Sequence, residues 1–351
     1  MTAVAAPVAV IVVSWNRREL LLDCLDSLMR QTLPPAEVIV VDNGSTDGSA
    51  QAVERLFGVG APAPLRVIRS DINLGFAAGN NLGAAAATAP WLALLNNDAA
   101  ADPRWLEEMM KAAGPRAGLI ACRLLRAERR DLLDNAGVRL WFDGMSRGAF
   151  HYFRDAEVQE PEALLPSGAA MMVRREAFEA VGGFDESFFA YSEDTDLGIR
   201  VRLAWWGCAW ADRAYVYHRG GGGTLGVVSL RKIYLVERNR LRILLRYYPG
   251  WLLVLGIPLA KLRHAALAGA MLRGAIRRPK TKNPNRDGGA GQGMSVGAGL
   301  RALFQAYRDC WRGRAADLAV RRQWPGGPAF IKAALDRRLD FASLTRLEAD
   351  E

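Results

Sequence analysis

The sequence has only four cysteines in 351 residues, which excludes two kinds of site. Cys24, Cys122, Cys208 and Cys310 are scattered along the chain and form no paired spacing. They do not show the pattern of a disulfide framework or a zinc site, so we interpret these residues as reduced, buried thiols of a cytoplasmic protein. The first residues also lack the basic segment of a secretory signal, and this leads to the same expectation.

The sequence also lacks two nucleotide-binding motifs and a long apolar run. No G-x-G-x-x-G follows the first predicted strand and no P-loop lysine is present, so a dinucleotide oxidoreductase is disfavoured. The apolar run Trp251–Ala260 has only ten residues before Lys261, whereas a membrane-spanning helix needs about 20. Such a run, flanked by aromatic and basic residues, suits a position at a membrane surface; docking on the catalytic domain or on a partner subunit is the alternative.

Positive charge is concentrated towards the C-terminus. The net charge is +9, but residues 229–351 contain 24 lysines and arginines against 9 acidic residues, so residues 1–228 are mildly acidic. This asymmetry predicts a catalytic domain at 1–228 and a basic, mostly helical region at 229–351. An anionic membrane surface would attract such a region. Nucleic acid is disfavoured, because the basic residues are spread along predicted helices without a recognisable binding fold. The segment 277–299, rich in Pro, Gly and Asn, is interpreted as a flexible loop.

The first 120 residues alternate between short apolar runs and helical patterns. The predicted strands are Val8–Val13, Glu37–Val41, Leu65–Arg69 and Trp91–Leu95. A βαβα alternation predicts an α/β fold with a parallel sheet and flanking helices. Ligands bind beyond the carboxyl ends of the strands in such sheets.

Each predicted strand is followed by a polar loop. These loops cover 14–17, 42–45, 70–81 and 96–98, and they are rich in Gly, Asn and Asp. One aspartate at a strand end is common in any α/β protein, and Asp42 before Asn43-Gly44 also suits a simple turn. Four converging polar loops are more specific, and we interpret them as a nucleotide pocket.

These loops resemble the motifs of the family 2 inverting GT-A glycosyltransferases, particularly the rhamnosyltransferase-like and galactofuranosyltransferase-like branch. The resemblance covers residues 8–223, and its motifs occur in the expected order. They are Val10–Arg17, Val38–Asp47, Asn73–Asn81, Leu94–Asp98, Ser167–Ala169, Gly182–Asp185, Tyr191–Leu197 and His218. It implies a GT-A fold, which is Rossmann-like with a mostly parallel sheet, followed here by the basic helical region.

The resemblance implies that the polar loops bind a nucleotide-diphosphate sugar. Asp42 would accept hydrogen bonds from the base or ribose. The other residues implied at the donor site are Ser14, Asn16, Arg17, Asn73, Gly75, Asn80, Asn96, Asn97 and Gly168.

A divalent cation, Mg²⁺ or Mn²⁺, is implied by the segment Asn96–Asp98, which occupies the place of the family's DxD motif. Asp98 would be a metal ligand, and the resemblance adds His218 as a second one. A lone histidine is more often structural, so that role is left open against a surface position. Asn96 departs from the strict motif, which has an acidic residue at this position. Because an amide offers an oxygen ligand without a charge, metal dependence is expected to be weaker.

Three acidic residues precede a predicted helix at Leu197. Carboxylates at a helix N-terminus interact favourably with the helix dipole. Such a capping role would account for one of the three acidic residues. By resemblance Asp194 is the general base that deprotonates the acceptor hydroxyl. Glu193 and Asp196 are supporting candidates, and Asp196 either shares this role or orients Arg200. The aromatic side chains of Phe189 and Tyr191 are candidates for the acceptor site.

Together these residues predict an inverting hexosyltransferase. The expected donor is dTDP-rhamnose or a UDP-sugar, and the expected acceptor is a glycan or lipid-linked hydroxyl in cell-surface polysaccharide synthesis at the cytoplasmic membrane face. A homo-oligomer is an open alternative for the basic region. Two other functions remain: a glycosyltransferase-like scaffold with weakened activity, suggested by Asn96, and a nucleotidyltransferase, which would release pyrophosphate instead of a nucleoside diphosphate.

Overall fold

The computed structural model describes residues 5–57, 63–158, 165–219, 229–256, 258–261 and 296–335. These residues form two compact units. The first lies within 1–139 and 146–227, and the second lies within 140–145 and 228–335. Most of the predicted flexible loop 277–299 lies outside the described residues, but its end does not, because the chain is helical from Val296 onwards.

A mixed β-sheet forms the centre of the first unit. The strands of the described residues are β1 (Ala6–Ser14), β2 (Pro35–Asn43), β3 (Leu65–Ser70), β4 (Trp91–Leu95), β5 (Ala99–Ala101), β6 (Ala117–Arg126), β7 (Leu133–Asn135), β8 (Val138–Leu140), β9 (Ser146–Gly148), β10 (Ala170–Arg174) and β11 (Gly207–His218). Nine of them form the sheet, in the order β3-β2-β1-β4-β10-β6-β11-β5 with β7 paired to β6. A separate hairpin joins β8 and β9.

The α/β class is confirmed, although the sheet is less parallel than predicted. Strands β3, β2, β1 and β4 are parallel, as the βαβα alternation requires. Strand β10 runs antiparallel between β4 and β6, and β5 runs antiparallel to β11. Short strands such as β5 and β7 have too few residues to show a period in the sequence, so these two strands could not be predicted.

Helices cover both faces of the sheet. They are α1 (Arg18–Met29), α2 (Ser49–Phe57), α3 (Gly75–Ala86), α4 (Trp105–Lys111), α5 (Arg175–Ala180) and α6 (Glu193–Leu203). Alternate residues of β1 point to opposite faces. Val10 therefore packs in one core with Leu21 of α1, while Ile11 packs in the other with Ala77 of α3. Gly83 allows α3 to lie close to the sheet, since a Cβ atom there would be 2.5 Å from Ile11 Cγ2.

The second unit is helical, as predicted for the basic region. It contains α7 (Leu230–Tyr247), the helical residues 250–256 and 258–261, α8 (Val296–Gln323) and α9 (Gly327–Ala334). Helix α7 packs along α8, and Arg242 and Arg246 of α7 both bind the buried carboxylate of Asp317 on α8, at 3.0 and 2.7 Å. None of the helices that the structure describes combines the length and apolar character needed to span a bilayer.

Candidate active site

Polar residues at the ends of three neighbouring strands lie side by side. Ser14 at the end of β1 is the register partner of Asp42 on β2. Asn97 follows β4, on the other side of β1, and its Nδ2 donates a hydrogen bond to Ser14 Oγ at 2.9 Å. The parallel register therefore brings together Ser14, Asp42 and Asn97, three of the residues predicted to bind the donor.

Asp42 forms the turn that its sequence context allows. Its Oδ1 accepts a hydrogen bond from the backbone N–H of Ser45 at 3.1 Å, and the side chain is buried. This contact accounts for one carboxylate oxygen, so a role in binding the base or ribose would fall to Oδ2.

The loop after β1 is fixed by the loop after β2. Asn16 and Arg17 both have left-handed backbone conformations, with φ of 58° and 63°. The backbone N–H of Asn16 donates to Ser45 Oγ at 2.8 Å, and Asn16 Oδ1 accepts from the N–H of Thr46 at 2.9 Å. The side chain of Asn16 therefore does not cap α1, contrary to its favourable residue type. Arg17 occupies the N-cap position instead, without a side-chain cap.

His218 lies between two carboxylates. Its Nδ1 is 2.9 Å from Oδ2 of Asp134, and its Nε2 is 3.2 Å from Oδ1 of Asp98. The antiparallel pairing of β11 with β5 places His218 opposite Ala99, which directly follows Asp98. Asp134 reaches the ring from β7, which pairs with β6 beside β11. Three distant stretches of chain thus converge on one imidazole.

The charges of this triad stabilise one another. Burial lowers the pKa of His218, but the hydrogen bond and negative charge of Asp134, together with Asp98, outweigh burial and raise the pKa to about 10. Burial raises the pKa of Asp98, but the contact and charge of His218 and the charge of Arg17 bring it below its ordinary value. Without a metal, His218 is therefore an imidazolium and Asp98 a carboxylate at neutral pH.

The Asp98–His218 pair fits a divalent cation. Nε2 of His218 is buried and makes no aligned hydrogen bond, so it could serve as a metal ligand once the cation has displaced its proton. Nε2 of His218 and Oδ1 of Asp98, 3.2 Å apart, would be the two protein ligands of such a cation. A carboxylate on the other ring nitrogen is the usual support for a metal-binding histidine, and Asp134 has that position.

Substrate or water would have to complete the coordination. Among the described residues no group of three or more His, Cys, Asp or Glu side chains could hold a metal ion. Mg²⁺ and similar cations are often held by one or two protein ligands together with substrate phosphates.

Asp194 lies beside the turn that carries Asp98. The backbone N–H of Asn96 donates to the carbonyl of Ala169, and the N–H of Gly168 donates to Oδ2 of Asp194, both at 2.9 Å. The two residues 168–169 therefore bridge the turn that carries Asp98 and the predicted base. A Cβ atom on Gly168 would be 3.2 Å from Asp194 Cβ and 3.3 Å from Oδ2, so glycine allows this close approach.

The environment of Asp194 suits a general base. Its Oδ1 accepts the backbone N–H of Thr195 at 2.7 Å, and the side chain is half-buried. Burial raises the pKa of Asp194, and the hydrogen bonds from Gly168 and Thr195 offset only part of that effect. A carboxylate with a raised pKa binds a proton more readily when the acceptor hydroxyl loses it.

The two neighbouring acids have different surroundings. Glu193 is buried, its Oε2 has no hydrogen-bond partner, and burial and the negative charge of Asp194 raise its pKa well above the ordinary value. Asp196 is completely buried and binds Arg200 at 2.7 Å. Arg200 in turn donates to the carbonyl groups of Val181 and Gly183. Asp196 therefore holds Arg200 in place and is out of reach of a bound acceptor.

The loop before Asp194 has an uncommon backbone. Phe189 has φ 66° and ψ −63°, and the N–H of Ala190 donates to the carbonyl of Phe188 at 2.8 Å, which makes a γ-turn centred on Phe189. Tyr191 and Ser192 also have positive φ. Strained conformations of this kind cluster at functional sites.

The carbonyl of Phe189 joins this loop to the donor side. It accepts the N–H groups of Phe76 and Ala77, the first turn of α3, at 2.7 and 3.2 Å. Gly75 is needed at this contact, because its φ is 84° and a Cβ atom there would be 2.5 Å from the Phe189 oxygen. The loop carrying Phe189 and Tyr191 is thereby attached to the loop carrying Asn73 and Gly75.

Comparison with known proteins agrees with this arrangement. The profile described as Glycosyl transferase family 2 matches residues 9–182. The O-antigen biosynthesis protein RfbC of Myxococcus xanthus is 33% identical over 205 residues, which are 55% of this chain and 16% of RfbC. The N-acetylglucosaminyl-diphospho-decaprenol L-rhamnosyltransferase of Mycobacterium tuberculosis is 31% identical over 227 residues, 57% of this chain and 72% of that protein. The chain belongs to glycosyltransferase family 2.

The family assignment confirms the resemblance seen in the motifs. Among solved structures, the crystal structure of GalNAc-T7 with UDP, GalNAc and Mn²⁺ has a similar fold, with a TM-score of 0.54, 12% sequence identity, and coverage of 70% of this chain and 48% of that one. At this identity the likeness concerns the fold alone. It agrees with the GT-A architecture expected of a family 2 glycosyltransferase.

Two predicted donor residues of this family 2 glycosyltransferase make internal contacts. Asn73 Oδ1 accepts the N–H of Gly75, and Asn80 is buried with its Nδ2 on the carbonyl of Phe76 in the same helix. Asn96 takes part through its backbone in the turn from β4 to β5, where its carbonyl accepts the N–H of Ala99. Direct donor contacts by these side chains stay predictions.

Sequence reasoning missed Asp134 and Asn43. Asn43 holds the loop that carries Asn73 and Gly75, because its Oδ1 accepts the N–H of Leu74 and its Nδ2 donates to the carbonyl of Gly75. Its position directly after Asp42 was the available signal. Asp134 lies in a segment whose sequence pattern is irregular, and no spacing links it to His218, 84 residues later. Its pairing depends on the packing of β7 against the sheet.

Charged side chains of both signs lie on the Asp98 side of the site, and Arg219 is paired there with Asp23 at 2.7 Å. A cavity beside Asp98 extends towards Arg130 and Arg219, and the backbone N–H of Arg219 donates to the Asp98 carbonyl at 3.0 Å. Together with Arg17 these side chains could balance the charge of a diphosphate. The remaining residues that line the cavity are Leu20, Asp23, Ala99, Ala100, Ala127, Glu128 and Tyr217.

Proposed function

We propose that this family 2 glycosyltransferase moves a sugar from a nucleotide-diphosphate sugar to a hydroxyl group with inversion at the anomeric carbon. One observation carries the proposal: the segment 168–169 bridges the turn bearing Asp98 to the carboxylate of Asp194 by two hydrogen bonds of 2.9 Å. A group that can bind a cation and a group that can accept a proton are therefore linked through one two-residue segment.

The division of roles follows from this arrangement. Ser14, Asp42 and Asn97 would bind the nucleotide at the strand ends. Asp194 would accept the proton of the acceptor hydroxyl as the new bond forms. The attacking oxygen and the departing diphosphate would lie on opposite faces of the anomeric carbon, so one displacement inverts its configuration. Arg17 would face the departing charge, since its own charge already acts on Asp98.

Asp98 and His218 would hold the divalent cation, Mg²⁺ or Mn²⁺. When bound, such a cation neutralises charge on the leaving diphosphate. Asp134 would keep the His218 ring oriented by accepting a hydrogen bond from Nδ1–H, which leaves the Nε2 lone pair for the cation.

The substrates are proposed by chemical class. The matched relatives include an L-rhamnosyltransferase and an O-antigen biosynthesis protein. We therefore propose dTDP-rhamnose or a UDP-sugar as donor and a glycan or lipid-linked acceptor in cell-surface polysaccharide synthesis. Phe189 and Tyr191 would contact the acceptor, because their loop leads directly into Asp194. All four cysteines are free, in agreement with a reducing, cytoplasmic location at the membrane face.

The decisive experiment measures product release from a panel of nucleotide sugars, with and without Mn²⁺. We expect a nucleoside diphosphate as product and at least a hundredfold loss of kcat in Asp194→Asn. Asp26→Asn, an exposed carboxylate paired with Arg30, is the matched control and should keep full activity.

Three results would contradict this proposal. Release of pyrophosphate would identify a nucleotidyltransferase. Nucleotide-sugar binding without turnover would identify a scaffold, the alternative that Asn96 suggests. A product with retained anomeric configuration, read from its NMR coupling constants, would exclude the single displacement.

A further inference from the structure

Helix α8 carries an exposed apolar stripe, which we name the α8 stripe and define as Leu300, Phe304, Trp311 and Leu318. These residues are separated by four, seven and seven positions, so they lie along one side of the helix. Phe304 is 71% exposed and Trp311 is 67% exposed. The opposite side of α8, with Ala302, Ala306 and Cys310, is buried in the second unit. Large apolar side chains exposed in a row mark an interaction surface.

The helical residues 250–256 and 258–261 also expose large apolar side chains, and we name Trp251, Val254, Leu255 and Leu259 the 250–261 face. Trp251, Val254 and Leu255 fall on one side of the first segment. Val254 is 73% exposed and Trp251 is 56% exposed, whereas Leu252 and Ala260 are buried. Both surfaces therefore expose apolar residues although each helix has a separate buried side.

The charges around the α8 stripe have one sign. Five exposed arginines lie on α8, namely Arg301, Arg308, Arg312, Arg314 and Arg322. The guanidinium of Arg314 lies over the Trp311 ring, 4.1 Å from its centroid. The two acidic residues of α8 are already paired: Asp317 is buried against Arg242 and Arg246, and Asp309 contacts Arg308. The surroundings of the stripe are therefore strongly positive.

We propose that the α8 stripe and the 250–261 face bind the surface of an anionic lipid bilayer. Apolar side chains including tryptophan would enter the interface, and the arginines would contact anionic headgroups. A second copy of the chain suits this surface less well, because a twofold contact would bring the same set of arginines together. This inference deepens the proposed peripheral membrane location.

Vesicle co-sedimentation of the full chain, without donor or acceptor, tests the proposal. We expect binding to vesicles of phosphatidylcholine with 30% phosphatidylglycerol, weaker binding to phosphatidylcholine alone, and weakening by salt. The variant Phe304→Ser/Trp311→Ser should lose about tenfold or more in partition coefficient. The control Leu56→Ser/Trp205→Ser removes two exposed apolar residues from the first unit and should bind like the original protein.

Several outcomes would overturn the proposal. The original protein could fail to bind the anionic vesicles, or the stripe variant could bind as well as its control. Sedimentation velocity without lipid gives a third outcome: a dimer that Phe304→Ser/Trp311→Ser dissociates would assign the stripe to self-association. If that variant unfolds in circular dichroism, Trp251→Ser/Val254→Ser tests the second surface. Because no turnover is measured, failure here is distinct from failure of the proposed transfer reaction.

Discussion

Asp134 lies 2.9 Å from Nδ1 of His218, on the opposite side of the imidazole ring from Asp98. A carboxylate in this position favours the proton on Nδ1 and directs Nε2 towards Asp98. The ring is therefore held in the one orientation in which His218 and Asp98 can share a cation. Asp134 is a positioning residue, because it would act on the cation only through His218.

Substitution of Asp134 by Ala should weaken Mn²⁺ binding by about 10- to 100-fold, because the ring loses the partner that fixes its tautomer. Titration calorimetry measures the affinity directly, and NMR of the ring nitrogens reports the tautomer. Asp131→Asn, an exposed carboxylate paired with Arg129, should leave the affinity unchanged. Equal Mn²⁺ affinity in Asp134→Ala and Asp131→Asn would show that Asp134 has no part in binding the cation.

Glu193→Gln should stabilise the protein at pH 8 but much less at pH 5. The folded-state pKa of Glu193 is raised above its unfolded value by burial and by the charge of Asp194. A carboxyl group with a raised pKa opposes folding above that pKa, and the penalty disappears as the pH falls below its unfolded pKa. For each unit by which the folded-state pKa exceeds the unfolded one, the free energy of unfolding at high pH falls by about 1.4 kcal/mol. The neutral amide of Gln at residue 193 avoids this loss.

Scanning calorimetry at the two pH values measures this difference. Glu128→Gln, an exposed residue on the surface of the first unit, serves as the control. A loss of stability at pH 8 in Glu193→Gln would mean that the carboxylate makes a stabilising contact in the charged form.

Gly168→Ala should lower kcat about tenfold. The added Cβ atom would meet Asp194 at 3.2 Å, so the carboxylate must shift by a few tenths of an ångström. Misplacement of a general base by such a distance affects the chemical step more than binding. Gly114→Ala adds the same methyl group where no atom lies within 4 Å, and it should keep its kcat. Steady-state kinetics with saturating acceptor measure kcat in both variants. An unchanged kcat in Gly168→Ala would argue against Asp194 as the base.

Gly75→Ala should destabilise the fold by about 2 kcal/mol more than Gly48→Ala. Both glycines have positive φ, 84° and 77°, so both substitutions incur a similar backbone penalty. Only the Cβ atom at residue 75 would clash, at 2.5 Å from the carbonyl oxygen of Phe189. Urea unfolding gives the two free energies. Equal losses would indicate that the contact between Phe189 and the start of α3 adds little stability.

The strand-end part of the site was accessible from the sequence. Parallel strands with short connections end at the same edge of a sheet, so the neighbours Ser14, Asp42 and Asn97 follow from the βαβα alternation alone. Motif resemblance assigned Asp194 and Gly168 to the site separately, and the hydrogen bond between them was not predicted. Helix spacing likewise predicted the basic helical region.

Other contacts depend on packing that has no local signature. Asp134 reaches His218 only because β7 pairs with β6, and a three-residue strand shows no period. The γ-turn at Phe189 arises at a residue type that normally avoids positive φ, so no residue preference predicts it. Asn16 had the residue type of a helix cap, yet its side chain satisfies the N–H of Thr46 in the neighbouring loop instead.

The carbonyl of Phe189 has a consequence for how a diphosphate is held. Many α/β proteins place phosphate groups on the free N–H groups at the start of a helix. Here the N–H groups of Phe76 and Ala77 already point at a carbonyl oxygen, so that anion-binding position is closed. The proposed donor site would therefore draw its positive charge from arginine side chains and a cation, not from the start of α3. Donor affinity is then expected to fall when the ionic strength rises or the metal is removed.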